Sequence, residues 1–208
     1  MDRSVILRRS TVGLAALAQA GISMANLVVA VGVLPAMGFR DTQDFADPAK
    51  VQHLAGPLMT LEMLKIASAL ALIVTIVGVS CRLRSTHPAL ELMVVATGVV
   101  GTLMLFSGGA LGLFALSKPH TLAGTAVLNT LINRLGLAAI AAIGVWILAI
   151  NWTALHAAQL PKKVAYLGLL LGSMSLMTFA LPPFALSVLI LGGLWFLWLG
   201  LILTRRGY

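Results

Sequence analysis

The chain has 208 residues, of which 60% are hydrophobic and only 10% charged, against roughly a quarter charged in ordinary soluble domains. With a mean hydropathy of +1.02, this composition excludes a soluble globular domain, and no polar stretch is long enough to form a second domain. The formal charge of +8 does not make a nucleic-acid interface, because the basic residues are spread over four short segments and not gathered on one face.

A membrane-spanning helix needs roughly 20 apolar residues, since the hydrocarbon core is about 30 Å thick. Six segments meet that need, at about 11–34, 58–80, 89–114, 126–152, 164–181 and 184–204. The fold class expected is therefore all-α, a single polytopic transmembrane bundle of six helices over 1–208. The first segment begins like a secretion signal, with Arg3, Arg8 and Arg9 ahead of an apolar run and Ala18-Gln19-Ala20 resembling a cleavage site. The run continues to about Phe39, so it reads as an uncleaved anchor and the first spanning helix.

An acidic stretch, 40–57, follows and carries Asp41, Asp44 and Asp47. The third segment is longer than a span requires, and Ser107-Gly108-Gly109 predicts a break or a tilt there. Between the last two segments Pro182-Pro183 enforces a tight hairpin, since proline cannot continue a helix. Helices five and six are then antiparallel neighbours.

Orientation follows from the connections. Arg3, Arg8, Arg9, Arg82, Arg84, Lys162, Lys163, Arg205 and Arg206 fall on one side, and Arg40, Lys50 and Lys118 on the other with the loop aspartates. Basic residues are retained on the cytoplasmic side, which places both termini in the cytoplasm and the 40–57 loop outside. Trp152, Tyr166 and Trp198 fall near the cytoplasmic helix ends, where amphipathic rings favour the headgroup zone. The expected location is a bacterial inner membrane, with the lipid bilayer as first partner.

Polar groups within the spans are the best pointers to function, because each is costly in lipid unless partnered. At about 1.5 Å per residue, Glu62 and Lys65 lie about 6 and 10 Å below the start of the second span, and Arg134 about 12 Å below the start of the fourth. Asn129 and Asn133 are one turn apart on the fourth, and Gln19, Ser23 and Asn26 share one face of the first. These depths predict an outer-leaflet polar cluster of Asn26, Glu62, Lys65, Asn129, Asn133 and Arg134, able to bind a small molecule, ion or lipid. The bland alternative is a structural ion pair between Glu62 and Arg134, with Lys65 reaching for the headgroups.

The four histidines, His53, His87, His120 and His156, fall in loops or at helix ends. A membrane haem needs facing histidines within helices. His53 and His120, with the loop aspartates, are weak candidates for an outer metal site, but their spacing matches no zinc pattern. The single cysteine, Cys81, cannot form an internal disulfide and reads as a packing residue or an acylation site. No phosphate loop, metalloprotease helix or nucleophile elbow is present, and no aspartate lies in a span. No catalytic residue and no cofactor is expected. A pigment or quinone held by apolar contacts would leave no motif. Gly108, Gly112, Gly168, Gly172, Gly192 and Gly193 are expected to let helices approach closely, within the bundle or against another subunit.

Asn151-Trp152, Leu160-Pro161, the run from Gly193 to Gly200 (GLWFLWLG) and the run from Leu64 to Leu70 (LKIASAL) are similar to runs in uncharacterised six-helix membrane proteins of bacteria. The resemblance implies the fold and the membrane placement and carries no activity. Three functions remain in view. The first is a non-enzymatic accessory or scaffold subunit that packs with other membrane proteins or with itself. The second is a binding or transport protein using the polar cluster. The third is an outer-face enzyme built on His53, His120 and the loop aspartates.

Overall fold

The computed structural model describes residues 9–39, 44, 47–82, 88–117, 126–181 and 184–205. Helix α1 (Arg9–Leu27) runs on through a π-helical turn, Val28–Val33, and a last α-helical turn, Leu34–Ala36. Then come α2 (Pro48–His53), α3 (Ala55–Ser80), α4 (Pro88–Ser117), α5 (Ala126–His156), α6 (Lys162–Met177) and α7 (Phe184–Arg205). Among the described residues there is no strand.

Local chemistry explains the ends of these helices. Pro35 follows the π turn. It has no N–H to donate, and its ring conflicts with the carbonyl four residues back. The wider turn over Val28–Val33 accommodates it. The helix then closes on Gly38, whose φ of 89° suits glycine: Phe39 N–H bonds Leu34 O and Gly38 N–H bonds Pro35 O, both at 3.0 Å, the Schellman pattern. Helix α2 starts at Asp47, whose carboxylate accepts from the N–H groups of Ala49 and Lys50, followed by Pro48 at the first helical position.

Helix α5 ends by the same pattern without a glycine. Gln159 N–H bonds Ala154 O at 3.0 Å, and the left-handed position is Ala158 at φ 50°. A side chain there costs about 1 kcal/mol, so Ala158→Gly is expected to raise stability by roughly 0.5–1 kcal/mol, read as a higher midpoint of thermal unfolding in detergent.

The long helices close into a ring in the order α1, α3, α4, α5, α6, α7 and back to α1. Each pair that touches through glycine runs antiparallel. Gly78 receives Val12, Gly98 faces Trp146 while Gly108 faces Leu135, Gly144 meets Ser175 while Gly168 meets Asn151, and Gly13 meets Thr204. The start of α1 and the end of α7 therefore lie side by side, which defines a terminal end of the bundle. The opposite end carries α2 and the α3 and α7 starts.

Five segments are long and apolar enough to cross a membrane: Ser10–Ala36, Ala55–Ser80, Leu92–Ser117, Val127–His156 and Phe184–Arg205. The chain is a multi-pass membrane protein. The segment expected at 164–181 differs. It folds as Lys162–Met177, 16 residues, about 24 Å of helix against roughly 30 Å of hydrocarbon, so length does not qualify it. Of the break or tilt expected at Ser107-Gly108-Gly109, the break does not occur: α4 runs continuously through these residues. Pro182 and Pro183 lie outside the described residues.

The terminal half is solid. Val12, Ala16, Leu72, Ile76, Trp146, Leu171, Trp195 and Leu199 belong to one buried cluster drawn from α1, α3, α5, α6 and α7. A smaller cluster at the opposite end joins Leu34, Val51, Leu54, Leu58 and Leu116, which seats α2 on the ends of α1, α3 and α4. Trp152, Tyr166 and Trp198 are exposed on the flank of the terminal half, at 60%, 58% and 41%, the positions of an interfacial belt.

Candidate functional site

Between the solid terminal half and the α2 end the ring is hollow. A partly open cavity of about 380 Å³ lies inside it, with walls from α1, α3, α4, α5, α6 and α7. The wall residues follow helical stripes. On α5 they are Ile132, Gly136, Ile140, Ile143 and Ile147, and on α3 Leu61, Lys65, Ser68 and Leu72, spacings of three and four that keep one face inward. On α1 the stripe is Gln19, Ser23, Asn26 and Ala30.

Glycines hollow the space. A Cβ added at Gly136 would meet nothing within 4 Å, and one at Gly108 or Gly192 would approach no atom closer than 3.8 Å. All three are wall residues. The remaining glycines singled out from sequence sit differently. A Cβ at Gly112 would strike the Glu62 carboxyl, one at Gly168 the Asn151 amide, one at Gly193 the Met24 methyl, and one at Gly172 the Gly144 carbonyl oxygen at 2.8 Å.

The polar part of the wall is unevenly satisfied. Gln19 Nε2 donates to Ser68 Oγ at 2.8 Å, and Ser68 Oγ donates back to Gln19 Oε1 at 3.0 Å. This tie couples α1 to α3. Ser175 donates to Leu171 O within its own helix. Lys65 Nζ donates to Glu62 Oε1 at 2.6 Å, an ion pair three residues apart on α3. The Glu62 carboxyl is turned from the cavity onto α4, against Gly112, and its Oε2 is buried without a hydrogen-bond partner among the described residues.

Of the six residues expected to cluster, Asn26 and Lys65 stand on the cavity wall and Glu62 lies behind Lys65. Glu62 pairs with Lys65, not with Arg134. Asn129 is partly buried outside the wall, and Asn133 and Arg134 are exposed on the outside of α5. The reason is azimuth. Arg134 sits two residues, about 200°, from both Ile132 and Gly136 on a helix of about 3.6 residues per turn, so it points away from the space they line. Ser68, Ser175 and Gly136 belong to the wall and were not singled out by sequence. The stripe spacing on α3 is the signal that would have found Ser68. Gly136 carried none.

His53 is exposed at the end of α2, and His120 lies outside the described residues. Among the described residues no three His, Cys, Asp or Glu side chains come together in a way that could hold a metal ion. Lys50 pairs with Asp44 at 2.5 Å across the start of α2, and Cys81 is exposed at the end of α3.

Fold and cavity together define a multi-pass helical membrane protein with a hollow in one half of its bundle. No family, characterised protein or solved structure matches the chain, so a functional reading rests on the geometry of this hollow.

Proposed function

We propose that this protein is a six-span bundle with both termini cytoplasmic, which binds a small, largely apolar molecule inside the outer half of the ring. The carrying observation is the cavity of about 380 Å³ walled by all six long helices. Its volume lies within the roughly 300–1,000 Å³ of ligand pockets, and apolar walls with a few polar groups are their usual make-up. The antiparallel course of α6 supports a sixth crossing, since a short span is accommodated by local thinning of the bilayer. The basic residues Arg9, Lys162, Lys163 and Arg205 at the terminal end support a cytoplasmic placement of that end. On this orientation the cavity belongs to the outer leaflet and lies away from the cytoplasm.

An accessory subunit packing with other membrane proteins, the reading that short loops and absent motifs favour, predicts a different isolate. The test is native mass spectrometry of the protein taken from its own membrane in mild detergent, as wild type, Gly136→Phe and Gly21→Phe. Gly136 faces the cavity and Gly21 faces outward, and neither Cβ would meet an atom within 4 Å, so both variants are expected to fold. A defined small molecule on wild type and Gly21→Phe, with about tenfold or greater loss on Gly136→Phe, is the expected result. A reproducible partner protein with an empty cavity would instead establish the subunit reading.

A further inference from the structure

We propose that the molecule held in the cavity is an anionic amphiphile, one apolar chain or ring system bearing a single carboxylate or phosphate that binds Lys65, with Asn26 and Ser23 beside it. This rests on the cavity-binding reading above. Lys65 is the only ionised residue among the described wall residues, and its carboxylate partner, Glu62, is not on the wall. An ammonium has three N–H donors, and Glu62 Oε1 takes one of them. No other acceptor for Lys65 occurs among the described residues.

The neighbouring wall of α1 has the same surplus. Gln19 and Ser68 satisfy each other, but the side chains of Ser23 and Asn26, one helical turn apart, bond no described residue. Unspent donors in an apolar, low-dielectric setting are costly until an acceptor arrives. A cationic ligand would meet the Lys65 ammonium first, and a neutral one without an acceptor would leave all three groups unspent. An acidic head satisfies them with charge-assisted hydrogen bonds.

The rest of the wall, including Leu105, Ile140, Val188 and Phe196, is apolar and suits a hydrocarbon body. The volume, near the lower limit for ligand pockets, has room for one chain and not for the two acyl chains of a bilayer phospholipid.

The test uses three probes with the same chain, laurate, dodecyl phosphate and dodecanol, titrated against the purified full chain in a non-ionic detergent. At least one of the two acids is expected to bind about tenfold or more tightly than the alcohol, as a charge-assisted hydrogen bond allows. The comparison between laurate and dodecyl phosphate identifies the head. In the double variant Glu62→Gln/Lys65→Met both charges go together, so no buried carboxylate is stranded. There the acids are expected to fall to the level of dodecanol, whereas Lys65→Arg keeps their preference. Gly136→Phe is expected to lose all three probes. Equal binding of alcohol and acids, unchanged acid binding in the double variant, or no binding of any probe would overturn the anionic head. Full binding in Gly136→Phe would overturn the cavity reading beneath it.

Discussion

Gly172→Leu is expected to prevent assembly of the folded bundle, and Gly172→Ala to destabilise it by roughly 2 kcal/mol. A Cβ at Gly172 would lie 2.8 Å from Gly144 O, 3.0 Å from Leu148 N and 2.6 Å from Leu148 Cγ. Two of these are backbone atoms of α5, which cannot yield as a flexible side chain can. The contact is reciprocal, for a Cβ at Gly144 would lie 3.2 Å from Gly172 O and 2.6 Å from Ser175 Cβ. Without a hydrophobic drive between helices in lipid, close backbone approach supplies much of the attraction, so a spacer of even one methyl separates α5 from α6. Gly108→Ala is the matched control. Its Cβ would stand 3.8 Å from Leu135 Cβ, ordinary contact, and a helical Gly→Ala change gains up to about 1 kcal/mol. Size-exclusion profiles and thermal unfolding in detergent read both. Equal unfolding midpoints for Gly172→Ala and Gly108→Ala would show that α5 and α6 are not held in this contact.

Trp195→Ala is expected to cost about 3–5 kcal/mol, the range for deleting a large buried aromatic side chain. Trp195 is completely buried. It meets Trp146 edge-on, with centroids 6.2 Å apart and planes at 83°, and packs on Phe196 at 4.8 Å. Its Nε1 donates to Asn151 Oδ1 at 3.3 Å, while Asn151 Nδ2 donates to Ile147 O at 2.8 Å and Trp146 Nε1 to Ser80 Oγ at 3.2 Å. This layer joins α3, α5 and α7 below the cavity, and Asn151 also fills the space left by Gly168 of α6. Removing Trp195 strands the Asn151 side-chain carbonyl and leaves a void beneath the cavity. Trp152→Ala, at a position 60% exposed, is expected to change stability by no more than about 0.5 kcal/mol. Comparable losses from the two substitutions would mean that the aromatic layer does not organise the terminal half.

The sequence determined by itself that this is an all-helical membrane protein, because hydrocarbon admits a spanning backbone only when it satisfies its own hydrogen bonds, and long apolar runs leave little else to form. It also put Gln19, Ser23 and Asn26 on one face of the first helix, at spacings of four and three, and the tertiary structure turns that face to the cavity. The depths of Glu62, Lys65 and Arg134 could be counted along their helices. Their azimuths could not. Rotation about each axis is set by which neighbours the helix packs against, and an apolar helix that faces lipid on one side and protein on the other has no polar face to declare it. Only tertiary structure therefore turned Arg134 outward and left Lys65 on the wall, whereas the Glu62–Lys65 pair is local, three residues apart on one helix. The glycines divide for the same reason. Gly172 and Gly136 are identical residues in similar apolar helices, yet one lies against a backbone and the other opens a cavity, since the partner across the interface, not the local sequence, decides what a missing side chain leaves behind.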